Sequence, residues 1–257
     1  RTITEEGIEY SLITVEVQRQ DAIAIITIRG PGSEPPLDAK GIQVEGADFW
    51  PLAVTRQLDD ALLHLRLNET KIGMLIFRSE GDVQRCASYD QLILDERENW
   101  LVREIILYWK RTMKRVDVTS RTLIAEILPG SCFCGFLAEV LFSADRSYML
   151  DGQFEGDNRA AATIRLTEAN FGSYARQQVT AANWNLVSAS TDAQVVTNAA
   201  NIEFPASTGT SNTVTIAFIA DAASSGNILF VGELDASKTI ATGDIFRINA
   251  GNLTIEL

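Results

Sequence analysis

The amino-acid composition changes abruptly near residues 171–176, and this break constrains most strongly what the chain can fold into. Of the 175 residues up to Ala175, 46 are charged, whereas only 10 of the 82 residues that follow are charged. Ala, Thr, Ser and Asn dominate the second part. We therefore expect two domains, residues 1–172 and 173–257, with different folds and separate functions.

Bulk properties exclude several classes of partner. The net charge of −12 leaves no basic surface of the kind that binds phosphate backbones, so no nucleic acid is expected. No apolar run approaches the roughly 18 residues that span a bilayer, and the first residues lack a signal-peptide core, so no membrane association is expected. These features predict a cytoplasmic protein.

The cysteines and the single histidine argue against metal and triad chemistry. Cys132 and Cys134 are too close in sequence for an ordinary disulfide or the usual zinc knuckle, and Cys86 leaves an odd total, so reduced thiols are expected. His64 lies in a helical pattern and is best interpreted as a structural or surface residue. No metal site is predicted, and Ser-His-Asp catalysis is disfavoured.

Hydrophobic periodicity predicts alternating strands and helices in the first part. β-Branched runs at 12–17 and 22–28 predict a hairpin, and the spacing of Leu58, Ala61, Leu62 and Leu65 predicts an amphipathic helix over 52–67. A strand at 74–77, a helix at 100–113 with one face at Leu101, Ile105, Tyr108 and Trp109, and a strand at 123–127 follow. This order predicts an α/β domain with a parallel sheet.

A glycine-containing turn follows the last of these strands. In the string from Pro129 to Glu139, a turn with Gly130 and Gly135 opens a predicted helix. Unpaired backbone N–H groups at such a junction can stabilise a developing oxyanion, as acyl-thioester chemistry requires. Junctions of this kind are also common and mostly structural, so both interpretations stay open.

This segment resembles the crotonase (enoyl-CoA hydratase) superfamily, in which a Gly-rich turn precedes a helix bearing a Glu and, six residues later, an Asp. Glu139 and Asp145 match these positions. The strings Phe49-Trp50-Pro51-Leu52 and Phe77-Arg78-Ser79-Glu80-Gly81-Asp82 are more closely similar to benzoyl-CoA-dihydrodiol lyases, specifically to their second crotonase-like half. The resemblance covers about residues 8–174. It implies an α/β crotonase-like domain, here an incomplete ββα spiral, from an acyl-CoA lyase or hydratase of benzoyl-CoA degradation.

The resemblance also implies roles for individual residues. The two oxyanion N–H donors would fall near Tyr89 and Gly135, and Glu139 would be a catalytic acid-base. Glu155 is a candidate second carboxylate. The alternatives are a helix-surface carboxylate for Glu139 and a solvated loop charge for Glu155. No cofactor is implied, because the coenzyme A thioester is the substrate.

The second part shows short β-branched runs separated by turn signals and no sustained helical period. The runs at 195–197, 202–204, 214–219, 228–231 and 253–255 predict an all-β antiparallel sandwich. The strings Gly172-Ser173-Tyr174-Ala175-Arg176 and Ile202-Glu203-Phe204-Pro205 are similar to small phage proteins described as tail-fibre-like. The resemblance implies a structural or interaction role, with association to a virion, and names no catalytic residue.

Two functions from different classes, and a third interpretation, follow. The first is an acyl-CoA lyase-like domain, expected to be inactive as this fragment because the resemblance lacks the C-terminal elements and the more regular first half. The second is a phage structural or interaction protein. The third is a chimera in which recombination or sequence assembly joined two unrelated coding sequences near Gly172. Homo-oligomer formation is left open.

Overall fold

The computed structural model describes residues 1–152, 154–165, 172–189, 194–209, 211–223 and 228–256. The chain divides into two compact units, Arg1–Thr167 and Glu168–Leu257. The domain boundary predicted at 172/173 falls slightly later in the chain, and residues 166–171 lie outside the described residues. Each unit is described by itself below.

The described residues of the first unit form one seven-stranded sheet with its strands in chain order. The strands are β1 (Thr2–Ile3), β2 (Gly7–Glu9), β3 (Ile13–Gln18), β4 (Ile23–Arg29), β5 (Met74–Glu80), β6 (Thr122–Ile127) and β7 (Arg146–Met149). β1 to β4 pair antiparallel, whereas β4 to β7 pair parallel. The predicted hairpin is β3–β4, and the predicted parallel sheet is confirmed.

Helices connect the parallel strands. They are α1 (Ala39–Glu45) and α2 (Trp50–Asn68) between β4 and β5, α3 (Val83–Asp95) and α4 (Trp100–Asp117) between β5 and β6, and the short α5 (Glu139–Phe142) between β6 and β7. A 3-10 turn, Gly135–Ala138, leads into α5. None of the helices in the described part of the chain is long and apolar enough to cross a membrane.

The core of the first unit follows from the periodicities of its elements. In β3, Ile13, Val15 and Val17 are buried while the residues between them are more accessible, as expected for a strand with one covered face. All four apolar residues that predicted α2 are buried. In α4 the buried stripe runs through Val102, Ile105 and Trp109 rather than through Leu101 and Tyr108, because 3.6-residue spacing centres the stripe on Ile105.

Helix α3 contains the residue near which the resemblance implied the first oxyanion N–H donor. Tyr89 lies in the middle of this helix, which runs from Val83 to Asp95. The Asp82 carboxylate caps this helix by accepting from the N–H groups of Gln84 (2.8 Å) and Arg85 (3.1 Å). Cys86 and Tyr89 are three residues apart and therefore lie on the same face of the helix, and both are buried.

The described residues of the second unit form small antiparallel sheets. Their strands are β8 (Trp184–Ala189), β9 (Gln194–Asn198), β10 (Ile202–Glu203), β11 (Asn212–Ala220), β12 (Ile228–Ile240), β13 (Arg247–Ile248) and β14 (Thr254–Glu256). The sheet orders are β14-β9-β8, β10-β13 and β11-β12. The predicted division into an α/β part followed by an antiparallel β part is therefore confirmed.

Candidate active site

The turn at Gly135 lies between β6 and α5 and contacts helix α3. Gly135 has a φ of +52°, in the left-handed region. Its N–H donates to the carbonyl of Arg165 (3.1 Å). The next N–H, that of Phe136, donates to Oδ1 of Asp90 in α3 (2.9 Å). Both N–H groups at the start of the turn therefore have acceptors within the protein.

Tyr89 lies in the middle of α3. A helix leaves only its first N–H groups unpaired, so the Tyr89 N–H is directed along the helix. The ring is buried, with centroids 5.7 Å from Phe49 and 5.4 Å from Trp50, and burial raises the pKa of the Tyr89 hydroxyl. Its role as an oxyanion donor stays a prediction, and that role would require this turn of the helix to open.

Glu139 is held by a neighbouring indole. It is the first residue of α5, it is half-buried, and its Oε2 accepts from Nε1–H of Trp109 (2.8 Å). The Trp109 ring also packs edge-on against Phe136 at 4.9 Å. Glu139 is thus a carboxylate with a fixed hydrogen-bond donor beside aromatic rings, not a free helix-surface charge. Its catalytic role stays a prediction.

A polar clamp between two helices fixes the position of Trp109. Asp59 of α2 accepts from the hydroxyl of Tyr108 (3.1 Å) and pairs with the guanidinium of Arg115, both in α4. Asp59 is almost fully buried, so its charge requires these partners. The clamp sets α4 against α2 and thereby orients Trp109 towards Glu139.

Two other carboxylates lie apart from this arrangement. Glu155 is exposed on the loop that follows β7, and among the described residues no hydrogen bond joins it to Tyr89, Gly135 or Glu139. Asp145, which the superfamily pattern also matched, accepts from the N–H of Leu123 at the start of β6 (2.8 Å). Asp145 therefore has a visible structural role, and Glu155 stays an unsupported candidate.

The aromatic cluster connects three of the four predicted site residues. Trp50 packs against both Tyr89 and Phe136, and Phe136 packs against Trp109. The cluster is formed by Phe49, Trp50, Tyr89, Trp109 and Phe136. Tyr89, Gly135 and Glu139 are brought together through it, and we call these three residues with Asp90 the candidate site.

Sequence reasoning missed Asp90, Trp50 and Trp109 as members of the candidate site. The sequence could have indicated Asp90, because it is an acidic residue within an otherwise apolar helical face. The pattern around the two tryptophans indicates only that they are buried aromatic residues. In the described residues, no group of three or more His, Cys, Asp or Glu side chains is placed to hold a metal ion.

The chain is similar to two unrelated kinds of protein. It is 40% identical over 174 residues to the benzoyl-CoA-dihydrodiol lyase of Aromatoleum evansii, which covers 68% of this chain and 30% of that enzyme. The family model described as podophage GP4 fiber I protein gp80 matches residues 152–256. Both predicted resemblances are confirmed, and the chain spans less than a third of the curated relative that it matches.

Solved structures show weaker similarity. Pseudomonas aeruginosa DspI shares 17% sequence identity, with a TM-score of 0.40 over 65% of this chain and 57% of that chain. An enoyl-CoA hydratase/carnithine racemase from Magnetospirillum magneticum shares 19% identity, with a TM-score of 0.37 over 56% of this chain and 50% of that chain.

Proposed function

We propose that the first unit is a partial acyl-CoA lyase-like domain that recognises an aromatic coenzyme A thioester. The observation that carries this proposal is the 40% identity to benzoyl-CoA-dihydrodiol lyase over 174 residues. The proposed place of action is benzoyl-CoA degradation in the cytoplasm, because the relative's name specifies that class of substrate. No metal or organic cofactor is part of the proposal.

The candidate site supports this function chemically. An aromatic acyl group would pack against the ring of Phe136, which is only partly buried, with the buried Trp50 supporting that ring from behind. Glu139, oriented by Trp109, is the carboxylate proposed to accept or donate a proton at the reacting carbon. Asp90 would contribute indirectly, by holding the turn that carries Phe136.

We also propose that this chain by itself does not turn over such a thioester. Oxyanion stabilisation requires N–H groups aimed at the developing charge. In this chain the N–H of Gly135 donates to Arg165, and that of Tyr89 lies inside α3. Binding without turnover is therefore the expected behaviour.

The test uses the purified full chain with benzoyl-CoA and with benzoyl-CoA dihydrodiol. We expect saturable binding by calorimetry and no loss of the dihydrodiol thioester by chromatography. Trp109→Phe removes the indole donor to Glu139 and should weaken binding several-fold. Trp100→Phe alters an exposed indole at the start of the same helix and should leave binding unchanged.

Three outcomes would contradict the proposal in different ways. Absence of any thioester binding would remove the acyl-CoA function altogether. Equal effects of the two tryptophan variants would place the binding site elsewhere in the chain. Turnover by the full chain would leave the lyase assignment standing and overturn the proposed inactivity.

A second function is favoured for the second unit by the gp80 family match at residues 152–256. We propose that this unit is a phage structural module that associates with copies of itself. Its described residues include exposed apolar side chains at Leu229, Phe230 and Val231 on β12, at Leu186 on β8, and at Ile245 before β13. Such exposure is typical of surfaces that partners cover.

Sedimentation velocity of the full chain tests self-association. We expect an oligomer that Leu229→Ser with Val231→Ser dissociates, because both substitutions replace an exposed apolar side chain of β12 with a polar one. Thr213→Ser on the paired strand is the control and should not change the oligomer. A monomeric wild-type chain would refute the proposal.

The joining of the two parts is a separate question about the gene. Sequencing reads that continue through the codons for residues 165–180 in independent DNA preparations would establish a biological fusion. Reads that end or diverge at that point would establish an artefactual one.

A further inference from the structure

The three buried cysteines are not part of either proposed function. Cys86, Cys132 and Cys134 are all free, and each is at most 1% exposed. Cys86 lies in α3, whereas the other two lie in the segment between β6 and the turn at Gly135. The sequence predicted reduced thiols and gave no reason for their positions.

Two of the sulfurs lie close to Gly30, the residue that follows β4. A Cβ placed on Gly30 would lie 3.0 Å from Sγ of Cys132 and 3.4 Å from Sγ of Cys86. Both thiols therefore pack over the same α-carbon. The sulfur of Cys134 is not among the three atoms nearest to that Cβ position.

A second glycine, Gly81, also lies beside the thiols. A Cβ on Gly81 would lie 3.0 Å from the α-carbon of Gly30 and 3.4 Å from Sγ of Cys132, and Gly81 has a φ of +149°. The ends of β4 and β5 thus approach each other closely because neither carries a side chain. The absence of both side chains leaves room for the sulfur pair.

The two thiols of the pair differ in acidity. A hydrogen bond from the Cys86 thiol, followed by one from the Ser79 hydroxyl, lowers the pKa of Cys132 even though burial opposes this. The same contact with Cys132, together with burial, raises the pKa of Cys86. Burial raises the pKa of Cys134 to about 12. This division resembles that between an attacking and a resolving thiol.

We propose that Cys86 and Cys132 form a dithiol modification site that hydrogen peroxide converts to a disulfide between α3 and the segment after β6. The Cys132 thiolate attacks one peroxide oxygen, the O–O bond breaks, hydroxide leaves, and Cys132 becomes a sulfenic acid. The sulfur of Cys86 then attacks the Cys132 sulfur and displaces the sulfenic oxygen, which leaves as water with the Cys86 proton. The two thiols are oxidised and one peroxide is reduced to two waters.

The new bond would connect the two segments that form the candidate site. Cys86 precedes Asp90 in α3, and Cys132 precedes Phe136, whose N–H already donates to Asp90. The disulfide would add a covalent bond to a contact that hydrogen bonds and apolar packing now maintain. The dithiol chemistry does not depend on acyl-CoA binding, so the two proposals are tested separately.

The experiment treats the reduced, folded full chain with hydrogen peroxide, a reagent small enough to reach a buried thiol during local opening. The chain is then unfolded, alkylated, weighed and mapped by peptide mass spectrometry. We expect one alkylated thiol instead of three, a mass lower than that of the alkylated untreated chain by two alkyl additions and two hydrogens, and a crosslinked pair of peptides that contain Cys86 and Cys132.

Serine variants give the order of the two steps. Cys134→Ser is the matched control, since it removes a third buried thiol and should leave the disulfide intact. Cys86→Ser should stop at a sulfenic acid on Cys132 that dimedone traps, whereas Cys132→Ser should accumulate no sulfenic acid on Cys86. If a variant does not fold by circular dichroism, the wild-type peptide map alone decides between the outcomes.

Three results would overturn the proposal. One is a disulfide that includes Cys134, and another is a disulfide between chains. The third is retention of all three thiols by the folded chain at a peroxide concentration that oxidises the chain unfolded in urea.

Discussion

Gly135 links the backbone geometry of the first unit to its candidate site. Its φ of +52° suits glycine, and a Cβ placed there would lie 2.1 Å from Cγ of Asp90. The same Asp90 carboxylate accepts the N–H of Phe136 at 2.9 Å. A side chain at residue 135 would therefore displace the carboxylate that holds the turn.

We predict that Gly135→Ala lowers the free energy of unfolding by about 2 kcal/mol, from backbone strain and the displaced Asp90 hydrogen bond. Urea denaturation measures the change. Gly32→Ala is the control, because its Cβ would meet no atom within 4 Å, and it should change the stability by less than about 0.5 kcal/mol. Equal effects of the two substitutions would contradict the explanation.

At this scale the sequence identified residues but not their contacts. The resemblance pointed to Gly135 as an N–H donor, whereas the fold directs that N–H to the carbonyl of Arg165. Glu139 was identified as a carboxylate of interest, but its donor is Trp109, on a helix formed earlier in the chain. The type of a residue can be read directly from the sequence. A hydrogen-bond partner that is distant in the sequence cannot, because it depends on how the chain folds.

Helix α2 ends against an arginine from a different element. The guanidinium of Arg121, at the entry to β6, donates to the carbonyls of Leu65 (2.9 Å), Glu69 (3.2 Å) and Ile72 (2.8 Å). The carbonyls of Leu65 and Glu69 also accept the backbone N–H groups of Glu69 and Ile72, so the guanidinium is a second, charged donor at the end of the helix. Arg121 therefore joins the end of α2 to the sheet.

We predict that Arg121→Ala destabilises the first unit by about 2 kcal/mol, because it removes charge-assisted hydrogen bonds to several carbonyls at once. Arg66→Ala, an exposed arginine in the last turn of the same helix, is the matched control and should cost less than about 0.5 kcal/mol. Thermal and urea denaturation of both variants would measure this. A loss no larger than that of the control would show that water replaces the guanidinium.

The cap of α3 predicts a pH dependence. Backbone N–H groups of Arg85 and Gln84 lower the pKa of Asp82. A carboxyl whose pKa is lower in the folded chain stabilises it above the ordinary aspartate pKa of about 4, and this contribution is lost as pH falls through the lower folded value. The urea midpoints of wild type and Asp82→Asn should therefore differ at pH 6, and the difference should shrink as the pH falls below the ordinary aspartate pKa.

An exposed turn aspartate provides the control for this effect. Asp21→Asn, at an exposed aspartate in the turn between β3 and β4, should change the urea midpoint at pH 6 by less than Asp82→Asn does. A difference between wild type and Asp82→Asn that stays constant with pH would mean that the charge of Asp82 does not stabilise α3.

Elements were predicted well where periodicity was strong. The helix over 52–67 and the strands at 74–77 and 123–127 all appear, as α2, β5 and β6 with somewhat wider bounds. Helix α3 was not predicted, although Val83, Cys86 and Tyr89 have the spacing of one helical face. In this segment the local pattern determined the structure.

Over the whole molecule, apolar burial is distributed unevenly between the two units. The main hydrophobic core consists of residues between Ile8 and Ala162, all in the first unit. Among the described residues of the second unit, Ile240 is the one buried hydrophobic side chain. Since apolar burial supplies most of the stability of a domain, the first unit should be the more stable of the two.

We predict that the two units of the full chain unfold in separate steps. In Trp184→Phe the remaining tryptophans, Trp50, Trp100 and Trp109, all report on the first unit. Their fluorescence should change at a higher urea concentration than the first change in far-ultraviolet circular dichroism. Coincident transitions by both probes would instead indicate one cooperative unit.

The sequence by itself determined the two-part organisation, the α/β and antiparallel classes, and most helices and strands. These depend on composition and on residue spacing over a few positions, which the chain carries locally. The tertiary structure decided that Glu139 meets Trp109, that Asp90 holds the turn at Gly135, and that the sulfurs of Cys86 and Cys132 meet over Gly30. Such contacts join residues distant in sequence, and they arise only when packing of the sheet and helices fixes the elements together.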